Sequence, residues 1–215
     1  MKFKAAIFDF DGTIMDTSPG IFATANAAIE SLGLQPEEDR SILARFVGPP
    51  IRDSFVAVYN LEESLIGKAV ERYRAIYDRT GRFGAELYEG IDRTLAALKD
   101  AGYRVAIATL KPEPLVKQMT DHFGLTSYFD SIRGSDPIHK TSKAAVIRHV
   151  LEDLQMKTEE AILIGDTSHD EEGAKEAGIA FIAVDWGFGF PKGYRPSSDA
   201  IAVAERPLDL LTFLL

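Results

Sequence analysis

Cysteine is absent from this chain of 215 residues. That excludes disulfides, thiolate metal sites and a cysteine nucleophile, and mildly favours a reducing compartment. Basic charge is scarce too. Its 24 Lys and Arg stand against 33 Asp and Glu, a net charge of −9, the wrong sign for a surface that grips phosphate backbones, so no nucleic-acid partner is expected. No apolar run approaches the roughly 20 residues of a membrane-spanning helix. The opening MKFKAAIFDFDG is basic and then apolar, as a secretion signal is, but its apolar stretch is short and Asp9 interrupts it. Internal repeats and low-complexity tracts are missing. The expectation is a cytoplasmic protein without membrane attachment. What is there is ordinary globular material: 46% hydrophobic residues, enough for one sizeable core plus a small second unit.

Short apolar runs at 5–10, 104–110, 161–164 and 180–184, with a weaker one at 201–204, end in polar or glycine residues. Near-continuous apolar character predicts buried parallel strands. Amphipathic helices are predicted between them at 91–101, 112–123, 141–154 and 171–177, three of them closed by Gly102, Gly124 and Gly178. Strands alternating with helices mean an α/β fold built on a parallel sheet. Residues 16–83 break the rhythm. Stretches 21–32, 41–46, 51–59 and 65–77 all carry helical spacing and no strand pattern. The expected organisation is a core of 1–15 and 84–215 with a small all-helical domain of 16–83 inserted after the first strand, and Gly81, Gly84 and Gly90 as a hinge on the return.

The chemistry gathers where the strands end. Ile7-Phe8-Asp9-Phe10-Asp11-Gly12-Thr13 leads an apolar strand into two aspartates. Read as a strand, with side chains alternating at period two, it puts Asp9 and Asp11 on one face, about 7 Å apart. Folding does not ask for two neighbouring carboxylates, and a divalent cation is the simplest offset for their repulsion. Ligands of open α/β sheets bind beyond the carboxyl ends of the strands. There this chain also carries Thr109-Leu110-Lys111, Gly165-Asp166-Thr167-Ser168-His169-Asp170, and Lys143 at a helix start. Lys111 reads as structural or peripheral, His169 as a bystander and His122 as serving a helix end, and Asp166 and Asp170 alone would read as helix caps.

With DFDGT at 9–13, T-x-K at 109–111, Lys143 and GDTSHD at 165–170 in order, the chain resembles the haloacid dehalogenase superfamily. The phosphoglycolate phosphatase-like and 5′-nucleotidase-like branch, with a helical cap after the first strand, is the nearest pattern. Lys140 competes with Lys143 for the third motif; Lys143 is preferred because it opens a helix. The resemblance implies a Rossmann-like parallel sheet with helices on both faces. It also implies a Mg²⁺-dependent phosphatase acting on a small phosphorylated metabolite through an aspartyl-phosphate. Asp9 would be the nucleophile and Asp11 the general acid and base. Thr109 and Lys143 would hold the phosphoryl oxygens, and Asp9, Asp166, Asp170 and the backbone carbonyl of Asp11 would hold the metal. Gly48-Pro49-Pro50 cannot lie inside a helix and looks like a specificity loop. Arg45 and Arg52 flank it and would meet a second anionic group of the substrate. Residues 185–189 would line the cleft mouth.

Two alternatives stay open: a sugar-phosphate mutase of the β-phosphoglucomutase type, which keeps the second aspartate, and a phosphorylatable receiver-like signalling domain, which has no large helical insertion. Dehalogenases and phosphonate-cleaving relatives lack the aspartate at the position of Asp11. A monomer or weak homodimer is expected.

Overall fold

The computed structural model describes residues 3–136, 141–190, 192–194 and 200–215. The chain opens with β1 (Ala5–Phe8) and a short β2 (Met15–Asp16), then enters the helices α1 (Ser18–Glu30), α2 (Arg40–Leu43), α3 (Ile51–Tyr59) and α4 (Glu63–Arg79). It returns through β3 (Glu86–Leu87). After that come α5 (Ile91–Asp100), β4 (Arg104–Pro112), α6 (Glu113–His122), β5 (Ser131–Ser135), α7 (Lys143–Leu154), β6 (Ala161–Gly165), α8 (Ser168–Ala177), β7 (Ala180–Val184), β8 (Ala200–Ala204) and α9 (Asp209–Leu214). Among the described residues no helix is long and apolar enough to cross a membrane.

The chain folds as two compact units, Met1–Met15 with Leu87–Leu215, and Asp16–Glu86. The return crossing thus falls at residue 87 where the sequence suggested 84. In the first unit six parallel strands run in the order β5-β4-β1-β6-β7-β8. Residues of both parities are buried along the central strands, as a sheet covered on two faces requires. Ala5, Ile7, Ala106, Ala108 and Leu163 share a cluster with Val146, Ile147, Val150 and Leu151 of α7 and with Ala174 of α8. The alternate residues Phe8, Ile107, Ile162 and Ile164 are equally buried but stand outside that cluster and face the other side. Each such side chain contributes roughly 1.5–3 kcal/mol.

The order of the strands places the site. From β1 the chain builds outward through β4 to β5, then comes back to β6 on the other flank of β1. Such a reversal opens a crevice at the carboxyl ends of the strands on either side of it. Phe8 pairs with both Ile107 and Ile164, so the ends of β1 and β6 lie level with the middle of β4. Asp9 and Asp166 follow β1 and β6 directly, and Thr109 stands two residues past Ile107 within β4.

The second unit is helical, with an aromatic centre. Phe55 is fully buried and meets Phe46 edge-on at 5.0 Å and Tyr73 at 6.1 Å, while Tyr73 stacks on Tyr77 at 5.4 Å. Gly48-Pro49-Pro50 joins a short 3-10 turn to α3 and is exposed. Gly90 has φ +93°, while Gly81 and Gly84 stay at negative φ. A Cβ on Gly20 would collide with the carbonyl oxygens of both, so these glycines let α1 pack closely on the segment that returns from α4.

Candidate active site

Asp9 follows β1 directly, its N–H donating to the carbonyl of Ile164 on β6 at 2.8 Å. Beyond it the strand is over. Phe10 is buried, Gly12 has φ +82°, and Asp11 makes one isolated bridge to Met15. The strand alternation expected to align Asp9 with Asp11 is therefore not what positions them. Their carboxylates go to different partners.

Asp9 joins Asp166 and Asp170, one oxygen of each lying within 4.8 Å of the others, all three residues buried. Asp166 leaves β6 one residue after its last member. Its Oδ1 accepts from the Thr13 hydroxyl at 3.3 Å, and its Oδ2 from the backbone N–H groups of Phe188 at 2.8 Å and Gly189 at 3.4 Å. Asp170 sits in the first turn of α8. Its Oδ2 accepts from the N–H and hydroxyl of Thr167, and the Asp170 N–H donates back to Thr167 Oγ1, a reciprocal cap. Its other oxygen lies 2.6 Å from Lys143 Nζ. Asp170 thus caps its helix with one oxygen and faces Lys143 with the other.

Lys143 is the first residue of α7 and its side chain is 4% exposed. Its Nζ also reaches Asp9 Oδ1 at 2.5 Å. The buried stem of Lys143 passes over Gly173 of α8, where an added Cβ would meet its Cγ at 2.5 Å. Lys140 lies outside the described residues.

Thr109 is buried in the carboxyl-terminal half of β4, its hydroxyl oxygen accepting the N–H of Lys111 at 3.2 Å. Lys111, which reads as structural or peripheral in sequence, has a buried side chain and is not peripheral. Its side chain is 6% exposed and its Nζ lies 3.0 Å from each carboxylate oxygen of Asp11. The signal was its place two residues after Thr109. Also missed was the second carboxylate support. The loop 185–189 packs onto Asp166, where a Cβ on Gly187 would collide with that side chain and with the carbonyl of Gly12. Trp186 Nε1 donates to the carbonyl of Thr13 at 3.1 Å. Arg45 and Arg52 are exposed residues of the helical unit. Arg45 donates to the carbonyl of Ala57 at 3.4 Å, and Arg52 pairs with Glu63.

The electrostatics follow from burial. Three carboxylates against one ammonium leave two negative charges uncompensated. Burial, partly offset by Lys143 and reinforced by Asp170 and Asp11, pushes the Asp9 carboxyl up to about 6. Burial, with the charges of Asp9 and Asp170, pushes Asp166 up to about 7 against the two backbone donors. Burial alone would draw Lys143 down, yet Asp170 and Asp9 outweigh it and hold that ammonium above the ordinary lysine range. An all-oxygen donor set with a formal excess of two negative charges fits a hard divalent cation such as Mg²⁺.

This has a measurable consequence. Carboxyls raised above their unfolded values contribute stability that is present below about pH 4 and lost as pH rises through about 6 and 7. Metal-free protein is expected to unfold at steadily lower temperature from pH 5 to pH 8. Saturating Mg²⁺ should remove most of that decline, because binding takes the place of the protons. Thermal melts with and without Mg²⁺ at pH 5, 6.5 and 8 check both signs; parallel curves would mean that no cation binds these carboxylates.

A groove elsewhere on the same unit, along the β5 edge, is lined by Lys117, Phe129, Arg133 and Asp153. Its principal charges are satisfied, since Arg133 and Asp153 pair at 2.7 Å. The convergent, perturbed groups are at the carboxyl ends of β1 and β6, and these mark the site.

Comparison with known proteins points to one family. Residues 6–184 match the family of haloacid dehalogenase-like hydrolases. A 5′-nucleotidase from Pseudomonas aeruginosa is 34% identical over 190 residues, covering 88% of this chain and 86% of its own. Tyrosine-protein kinase PtkA of Mycobacterium tuberculosis is 37% identical over 187 residues, 86% of this chain, which spans 63% of that longer protein. A phosphoglycolate phosphatase from Vibrio parahaemolyticus is 28% identical, with 86% of this chain and 85% of its own covered. A solved structure from Clostridium difficile, provisionally named a phosphatase, superposes over all of both chains with a TM-score of 0.92 at 30% identity. The family match begins in β1, ends with β7 and takes in every member of the acidic cluster: this chain belongs to the haloacid dehalogenase-like hydrolases, as an enzyme of their phosphatase kind.

Proposed function

We propose that this protein is a Mg²⁺-dependent phosphatase that hydrolyses a small phosphomonoester, phosphoglycolate-like or a 5′-nucleotide, through an aspartyl-phosphate on Asp9. The observation that carries the reading is the buried trio Asp9, Asp166 and Asp170, with the ammonium of Lys143 on Asp9 and Asp170. When bound by these carboxylates and the backbone carbonyl of Asp11, Mg²⁺ supplies positive charge against the doubly negative ester.

The chain's own groups do the rest. An Asp9 oxygen attacks phosphorus and the bond to the ester oxygen breaks, with Asp11 giving that oxygen a proton. Water then attacks the aspartyl-phosphate, Asp11 takes its proton, and inorganic phosphate leaves with Asp9 restored. Lys143 and the Thr109 hydroxyl hold phosphoryl oxygens as charge builds on them. The helical unit is assigned the substrate's other half, with Arg45 and Arg52 as its anion-binding side chains. The protein acts in the cytoplasm as a monomer or weak homodimer, without nucleic acid or membrane.

Phosphate release from a panel of phosphomonoesters with Mg²⁺ tests this. Turnover should be highest on 2-phosphoglycolate or a nucleoside 5′-monophosphate. An isomeric hexose phosphate formed from a hexose 1-phosphate, without free phosphate, would replace the reading by a mutase. The likeness to a protein named a tyrosine kinase makes transfer to a phenol the other competing outcome, read as phosphate on a tyrosine peptide in place of free phosphate.

A further inference from the structure

We infer that Lys111 is a positioning residue for Asp11: its ammonium fixes the Asp11 carboxylate where the leaving oxygen departs. The inference rests on the phosphatase reading and deepens it. Asp11 lies past the end of β1, in a segment that turns sharply at Gly12 and holds to Met15 by one bridge. Backbone there does not fix a side chain. An aspartate has two rotatable side-chain bonds, and proton transfer needs its oxygen placed within hydrogen-bond reach of the reacting atom. The structure supplies the tether from the neighbouring strand. Lys111 Nζ stands 3.0 Å from both Asp11 oxygens, which restrains the carboxylate about its own axis as well as its direction. The lysine is itself held: its side chain is 6% exposed and its backbone N–H donates to Thr109 Oγ1. One strand end therefore carries both a candidate phosphate-holding hydroxyl and the anchor of the proposed acid and base.

This role separates from two others by leaving group. An ester whose leaving group is already a weak base needs no proton in the bond-breaking step, whereas an alkoxide does. A positioning loss appears only where the proton matters. A lysine that merely stabilised the fold, or bound a substrate anion, would affect both kinds of ester.

The experiment compares kcat/KM, which reports the steps through formation of the aspartyl-phosphate, for 2-phosphoglycolate or adenosine 5′-monophosphate, whichever the wild type turns over faster, and for 2,4-dinitrophenyl phosphate. In Lys111→Met the alkyl ester should fall by about 100-fold, the scale on which misplacing a reacting group acts, while the dinitrophenyl ester stays within about 3-fold. Lys111→Gln, whose amide still donates a hydrogen bond, should lie between, and it carries the comparison if the methionine variant does not fold. Equal losses on both esters overturn the role of Lys111 and leave the phosphatase reading intact. A wild type that releases phosphate from none of them, 2-phosphoglycolate included, overturns both.

Discussion

Asp9→Asn should abolish turnover, by at least about 10⁴-fold in kcat, the scale of losing a covalent nucleophile, while the protein stays folded. The amide has nearly the carboxylate's shape but no charge to attack phosphorus. The fold survives for a reason visible in the site. Lys143 keeps its second partner, Asp170, at 2.6 Å, and removal of the Asp9 charge relieves repulsion from Asp170 and Asp11. The pH dependence distinguishes this from general damage. Asp9 is raised to about 6, so in wild type its contribution fades as pH climbs through that value. The asparagine has nothing to lose there. In metal-free melts the variant should gain on wild type between pH 5 and pH 8, while acid-quenched protein shows no phosphoenzyme. Undiminished turnover in the variant would remove Asp9 from the chemistry.

Lys143→Met should cost the most stability of any substitution in the site. The side chain is 4% exposed and bridges Asp9 at 2.5 Å and Asp170 at 2.6 Å. Truncation leaves two buried carboxylates facing each other with no cation between them. Breaking a buried pair from one side costs about 3–5 kcal/mol, which for a chain of this size lowers the melting midpoint by on the order of 10 °C at pH 8. The penalty should shrink at pH 5, where Asp9 and Asp166 hold protons. It should also shrink with Mg²⁺ present, whereas kcat stays down by about 10²–10³-fold because the phosphoryl oxygens have lost a donor. Melts at two pH values, with and without Mg²⁺, beside phosphate-release kinetics, separate the electrostatic loss from the catalytic one. A midpoint unchanged at pH 8 would show that the ammonium does not hold these charges together.

Much of the fold was legible because its strands are buried on both faces. Such strands are near-continuously apolar, and β1, β4, β6 and β7 stood out for that reason. The edge strand β5 did not, since Ser131-Ile132-Arg133-Gly134-Ser135 has one aliphatic residue and is only partly buried. Its place in the sheet comes from pairing with β4, a long-range fact that local pattern does not hold. In the site, the charged residues were visible in sequence: Asp9, Asp166, Asp170 and Lys143 come together in the fold. What pattern hid was support by backbone and by space. Gly187 and the N–H of Phe188 hold Asp166 from a loop 22 residues along the chain, and Gly173 leaves room for the stem of Lys143. A glycine that serves by being small leaves no periodic trace. Lys111 was underrated because surface lysines are common, and its burial became apparent only with Asp11 beside it.

The paired crossings at β2 and β3 have an evolutionary and practical corollary. Both junctions of the 16–86 stretch meet in one two-stranded ribbon, where neighbouring strands stand about 4.8 Å apart. A donor stretch of quite different length can be grafted there without altering the register of any core strand, because only the spacing of its two ends must match. Chimeras joined at 15/16 and 86/87 should therefore express and fold where cuts placed inside α1 or α4 do not, and a lineage can recombine the cassette while inheriting the acidic pocket unchanged.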